Sequence, residues 1–396
     1  MSNRFVYLDH SATTPVKPEV WEEMAPYFSR KFGNASSVYS IGRESRAAVE
    51  AARARVARAL GADDKEIYFT SGGTESDNWA LKGVAYTNRK KGSHIITTSI
   101  EHHAILNICD YLAKEGIEIT YLPVDKRGLV DPRQVEEAIR PETILISVMF
   151  ANNEIGTIQP VKAIGEIARS KGIYFHTDAV QAVGNVRIDV EDMNIDMLSL
   201  SAHKFYGPKG TGVLYIRKGV EISSLMQGGS HEMGRRAGTE NVPGIVGLGK
   251  AIELADSQLE EHNGRLLKMR ERLIDGILEQ VPFVRFNGDR EKRLPGNANI
   301  TFQYVEGESI LLMLDMKGIA VSTGSACASG SLDPSHVLLA LGMSHEEAHG
   351  SIRMTLGDDN TDEDIDYVLE TLPPVIERLR KMSPLYEEIE KGARHV

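Results

Sequence analysis

A lysine at the end of an apolar run is the first candidate for chemistry in this chain. Ser201-Ala202-His203-Lys204 closes the run 196–200 and leads into the Tyr206-Gly207-Pro208 turn. Alone, Lys204 reads as one surface lysine among many. Three further clusters change that reading. The stretch 70–76, Thr-Ser-Gly-Gly-Thr-Glu-Ser, follows a strand-like run and opens a helical pattern. Its glycines allow close backbone approach, and a helix N-terminus offers unpaired N–H groups to an anion. It is neither a P-loop nor a dinucleotide fingerprint, because the required lysine and glycine spacings are missing. His176-Thr177-Asp178 ends another run and puts a carboxylate where parallel sheets bind ligands. Ser99-Ile100-Glu101-His102-His103 follows a third run. Adjacent side chains diverge in regular structure, so one of these two imidazoles can act at a given site.

A phosphate cradle, a carboxylate, an imidazole able to stack and a lysine amine together compose a pyridoxal phosphate site. The carboxylate of Asp178 would keep the ring nitrogen protonated, so that the ring draws electrons. Gln181 would reach the phenolic oxygen if the chain turns into a helix there. Lys204 is the expected Schiff-base lysine and a later proton carrier.

The chain has two cysteines, too few for a disulfide framework or a Cys-rich zinc scaffold. No HExxH or CxxC occurs, and the histidines do not cluster at ligand spacing, so no metal is expected. Cys109 lies in a helical, apolar setting and reads as a packing residue. Cys327 lies among small polar residues with Gly324 and Gly330 on either side, and reads as a loop thiol.

These residues need a scaffold. The 396 residues suggest two or more domains and a core that needs no staples. A net charge of −11 argues against a general nucleic-acid surface. No apolar run approaches the ~18 residues of a membrane helix, and the first residues lack signal-peptide features. A cytoplasmic protein is expected. Strand-like runs occur at 67–70, 94–99, 118–122, 145–150, 173–178, 196–200 and 212–216, with helical patterns such as 43–60, 135–139 and 164–170 among them. That alternation predicts an α/β fold with a mainly parallel, seven-stranded sheet. From about residue 262 the pattern becomes mixed, with a helix over 264–280 and a strand over 298–302. Asp333 reads as an N-cap before Pro334, and Thr361-x-x-Asp364 as a capping box for a last helix reaching about Met382.

These clusters, in this order and spacing, resemble the NifS/IscS-type cysteine desulfurases, class V aminotransferase-like enzymes of fold type I. The likeness runs from Tyr7-Leu8-Asp9-His10-Ser11-Ala12-Thr13-Thr14 to Ser351-Ile352-Arg353-Met354-Thr355-Leu356-Gly357. It implies a large cofactor domain over 15–260, and a small α+β domain from 1–14 and 261–396 with a mobile cysteine loop at about 322–333. It implies that Gly73, Thr74, Ser201 and His203 hold the cofactor phosphate, joined by Thr239 of the partner subunit in a homodimer. Asp178 then meets the ring nitrogen, Gln181 the phenolic oxygen, and His102 stacks on the ring and assists proton transfer. Asn153 lies beside ring and substrate, while Asn34 and Arg353 hold the substrate carboxylate. His10 departs from the asparagine of many relatives, at a position to which no role is carried over. The implied activity converts L-cysteine to L-alanine, with the sulfur held as a persulfide on Cys327. What deprotonates Cys327, His102 or the substrate itself, stays open. The implied acceptor is a separate iron–sulfur scaffold protein of the NifU/IscU type. A selenocysteine lyase, another class V enzyme, or a protein that mainly docks sulfur acceptors are the competing readings.

Overall fold

The computed structural model describes residues 4–323, 334–384 and 386–387. Strand β1 (Val6–Tyr7) is followed by the seven strands of the main sheet. These are β2 (Ile67–Thr70), β3 (His94–Thr98), β4 (Glu118–Leu122), β5 (Thr143–Ser147), β6 (Tyr174–Asp178), β7 (Met197–Ser201) and β8 (Gly212–Ile216). Their spatial order is β2-β8-β7-β6-β5-β3-β4. Only β8 is reversed, running antiparallel to β2 and β7, and the remaining pairings are parallel. The expected mainly parallel, seven-stranded sheet is therefore the sheet that forms.

Both faces of this sheet are covered, which explains why its strands read as continuous apolar runs. Neighbouring residues divide between two cores, because successive side chains point to opposite faces. Phe69, Ile96, Ile146 and Leu198 meet helices Ser40–Leu60, Val161–Lys171 and Val242–Ser257. Tyr68, Ile95, Leu145 and Met197 meet helices Gly73–Thr87 and His103–Lys114. Helix Ser40–Leu60 stops where Gly61 takes a left-handed φ of 69°.

Two expected boundaries move. The run 145–150 forms a strand over Thr143–Ser147, yet Val148 N–H and Phe150 N–H still bond to His176 O (3.1 Å) and Asp178 O (2.8 Å). The apolar run thus tracks the backbone ladder past the regular strand. The helix expected from an Asp333 cap starts later, at His336, and is capped by the Ser335 hydroxyl, which accepts from Leu338 N–H. Asp333 itself lies outside the described residues.

A third core joins Val6 and Leu8 to apolar residues between Leu266 and Ile376. It packs around an antiparallel sheet of β9 (Val284–Phe286), β10 (Asn297–Phe302), β12 (Ser322–Thr323) and β13 (Ser351–Thr355), in the order β12-β13-β10-β9. The short β11 (Ile319–Ala320) pairs in parallel with β1 and ties the chain's start to this core. Helices Leu259–Gln280 and Asp362–Arg380 cover it. The Thr361–Asp364 capping box is present at the start of the last helix.

Candidate active site

Segments following five parallel strands converge on one cavity of about 400 Å³. Gly73 and Thr74 follow β2, His102 follows β3 and Asn153 follows β5. Asp178 closes β6, with Gln181 just beyond it; Ser201 closes β7, with His203 and Lys204 just beyond it. Arg353 and Ser322 enter from the smaller sheet, and Asp9, Ser11 and Ala12 from the N-terminal segment. Ligands bind such sheets at the carboxyl ends of their strands.

Helix Gly73–Thr87 begins at the cavity wall, with its first N–H groups unpaired within the helix. A Cβ on Gly73 would stand 2.6 Å from Val180 Cγ2, so this close approach requires glycine. Lys204 ends a single tight turn after β7. Its Nζ donates to Ser11 O (2.5 Å) and Ala12 O (2.8 Å). Gln181 Nε2 also donates to Ser11 O (2.9 Å). The chain around Gln181 is a run of turns rather than the helix the sequence suggested.

The His102 ring caps helix His103–Lys114, its Nδ1 accepting from Ala104 N–H (3.1 Å). In a neutral ring the proton then sits on Nε2. Burial, with Lys204 and His103 nearby, pushes His102 down to about 4. His203 is likewise pushed down to about 4 by burial and by Lys204, and its Nδ1 lies 3.1 Å from Thr13 Oγ1. Burial raises Asp178 to about 6, against the pull of the Val180 N–H and Lys204. Asp178 accepts that N–H at 2.9 Å, so it caps the turn and faces the cavity at once.

Arg353 is 3% exposed. Its Nη1 donates to Asn153 O (3.2 Å) and its Nη2 to Asp9 Oδ1 (2.9 Å), while its buried Nε has no partner among the described residues. Two of its five N–H donors are thus used to orient the guanidinium, which still lines the cavity.

Asn34 and Thr239 are exposed and do not line this cavity; the Asn34 Oδ1 accepts from Ser36 N–H at 2.8 Å. Cys327 lies outside the described residues. Cys109 is fully buried, and burial pushes its thiol up to about 12. Sequence reasoning gave no role to Asp9, Ser11, Asp77 or Glu101. Asp9 and Ser11 stood inside the quoted N-terminal motif. Asp77 follows Thr74 by three residues, the helical spacing that returns to the same face.

A pyridoxal phosphate suits this donor set. A cavity of about 400 Å³ lies in the range of small-ligand sites. Hydroxyls, a helix N-terminus, a buried carboxylate and a lysine all line it. The Arg353 guanidinium, which lines the cavity, offers donors to a substrate anion.

Comparison with known proteins agrees. The profile described as aminotransferase class-V matches residues 6–368. A cysteine desulfurase IscS of Methanosarcina thermophila is 62% identical over 383 residues, covering 97% of this chain and 95% of that protein. A solved NifS-like protein superposes with a TM-score of 0.90 at 41% identity, over 95% of this chain and 100% of its own. A second, described as SspA in complex with cysteine, gives 0.79 at 40% identity, over 89% and 99%. The chain belongs to the class-V aminotransferase family, among its pyridoxal-phosphate-dependent cysteine desulfurases.

Proposed function

We propose that the protein takes the sulfur from L-cysteine, leaves L-alanine, and receives that sulfur on Cys327. The convergence of Lys204, Asp178, His102 and Arg353 on one cavity carries this reading. The relative solved with cysteine supports the choice of substrate.

Pyridoxal phosphate, when bound, supplies an electron sink that makes the substrate Cα–H acidic. Lys204 Nζ holds the cofactor and, once displaced by substrate, moves the Cα proton. Gly73, Thr74, Ser201 and His203 hold the phosphate, with Thr239 of the partner subunit. Asp178 would accept a hydrogen bond from the ring nitrogen's N–H and keep it protonated, and Gln181 would meet the phenolic oxygen. Arg353 draws in the substrate carboxylate, and Asn153 lies beside the ring and substrate. His102 packs on the ring, and its outward Nε2–H donates rather than accepts. The Cys327 thiolate then attacks the substrate sulfur. An S–S bond forms and the Cβ–S bond breaks. Its electron pair stays with the carbon fragment, which takes up protons and departs as L-alanine. No outside oxidant or reductant is needed.

The persulfide would pass to a separate scaffold protein of the NifU/IscU type, from a cytoplasmic homodimer. No helix among the described residues is long and apolar enough to cross a membrane. Exposed apolar side chains at Trp21, Phe28, Phe32 and Val38 supply surface that a second subunit could cover.

The test is to assay alanine and sulfide from L-cysteine, with L-selenocysteine alongside. With an added thiol to reduce the Cys327 persulfide and release its outer sulfur as sulfide, both products are expected in equal amounts. The protein should be yellow, and borohydride should fix the cofactor on Lys204; an adduct on another lysine removes that assignment. Cys327→Ala should keep the colour and lose sulfide release. Undiminished turnover in that variant would overturn the persulfide step, and a preference for L-selenocysteine would favour the lyase.

A further inference from the structure

Behind Asp178 lies a buried group that the proposed chemistry does not use. Asp77 sits in the second turn of helix Gly73–Thr87, is 1% exposed, and lines the same cavity as Asp178. Its Oδ1 has no hydrogen-bond partner among the described residues. The nearest basic atom is His176 Nε2, at 3.7 Å. That ring is fully buried between two hydroxyls, Ser147 Oγ (2.9 Å from Nδ1) and Ser199 Oγ (3.0 Å from Nε2). Burial pushes it down to about 3, so it brings no charge to Asp77.

We infer that Asp77 is a positioning residue that keeps its proton beside an ionised Asp178, so that the cavity floor carries one negative charge rather than two. The inference rests on the cofactor reading above and extends it. The groups that act on Asp77 are Asp178 on β6 and Glu101 beyond β3, both carboxyls, with the Ser199 hydroxyl opposing them. A buried carboxylate with an unpaired oxygen and no cation neutralises instead of staying charged. Asp178 is better placed to ionise: it accepts the Val180 N–H and feels Lys204. Of two neighbouring carboxyls, the better solvated one ionises and the other holds its proton. One anion then faces one ring-nitrogen proton. No surplus charge repels the substrate carboxylate that Arg353 must attract.

Infrared spectroscopy of the holoenzyme near neutral pH tests this. Of the protonated-carboxyl C=O bands of the wild type, one should be lost in Asp77→Asn, while that of Glu101 stays. Asparagine keeps shape and neutrality. The visible band, the acid limb of the activity profile and the KM for L-cysteine should therefore stay within about threefold or a few tenths of a pH unit. A wild-type-minus-variant difference spectrum with no lost band would overturn the inference. So would a shifted visible band and acid limb, because they would mean that Asp77 had been charged. Should Asp77→Asn fold poorly, Asp178→Asn gives a second reading. Without its charged neighbour, Asp77 should lose its infrared band at lower pH than in the wild type; an unmoved band overturns the coupling. A wild-type protein that binds no pyridoxal phosphate would instead sink the cofactor reading, a distinguishable result.

Discussion

Glu101 lies just past β3 and never touches solvent. Its Oε1 accepts from the Thr98 hydroxyl (2.7 Å) and from Met149 N–H (2.9 Å), while Oε2 is unpaired. Burial raises its carboxyl from the ordinary 4.5 to about 8. A group raised on folding adds stability that is complete below its unfolded pKa and is lost as pH rises through its folded one. For Glu101 that window runs from 4.5 to about 8. Glu101→Gln keeps the accepting oxygen and removes the ionisation cost. We expect it to stabilise the cofactor-free protein by on the order of 3 kcal/mol near pH 8.5, and much less near pH 5.5. Denaturant titrations at the two pH values check this; an equal gain at both would contradict it. Lys204, Asp178 and His102 were legible in the sequence because each stands at a strand end beside distinctive neighbours. Asp77 and Glu101 were not, because their importance comes from burial next to Asp178, a residue distant in the chain.

At the scale of elements, the phosphate-side wall depends on two glycines meeting across the sheet edge. A Cβ on Gly212, at the start of β8, would stand 2.6 Å from Gly72 Cα and 2.6 Å from Leu200 O. Both neighbours are backbone and cannot swing aside. Gly72 takes φ 151° to turn β2 into the following helix. Gly212→Ala should therefore push the turn away from Ser201, cost about 1–3 kcal/mol, and weaken pyridoxal phosphate binding at least tenfold. Thermal melts with and without cofactor measure both effects; tight cofactor binding with an unchanged melt would show that the contact is slack. Strand identity here followed from apolar runs between turn residues. The later helix start at His336 was not legible, because both Asp333-Pro334 and Ser335 carry capping chemistry. Ser335 caps the helix and also donates to the buried Glu154 Oε2 (2.5 Å), a partner from a remote segment.

Across the whole molecule, the residues proposed for cofactor and for substrate draw on different cores. Lys204, Asp178 and Thr74 hang from the large sheet. Arg353 belongs to β13, paired in register with Asn299 of β10 and Ser322 of β12. The Asn299 Nδ2 also donates to Glu154 O (3.1 Å), one of the links between the two bodies. Ile300 is fully buried in the smaller core and pairs with Ile352, beside Arg353. Ile300→Ala should cost about 2–5 kcal/mol and raise the KM for L-cysteine several-fold. The visible cofactor spectrum at 25 °C should stay unchanged, since its residues stand on the other core. Steady-state kinetics with absorbance scans decide this, and a lost spectrum with an unaltered KM would reverse the assignment. We propose on the same ground that 15–260 and the 1–14 plus 261–396 parts are the two folding units.

By itself the sequence determined which groups exist and in what local setting: a lysine past a strand, a carboxylate at a strand end, glycines at a helix start, an apolar Cys109. Those are short-range properties, carried by turn chemistry and hydrophobic period. Tertiary structure alone decided which of these groups share a cavity, and in what protonation state. It set Arg353 against Asp9 and Asn153 O, and buried Asp77 beside Asp178. Those outcomes depend on desolvation and on contacts between segments hundreds of residues apart, which no local pattern encodes.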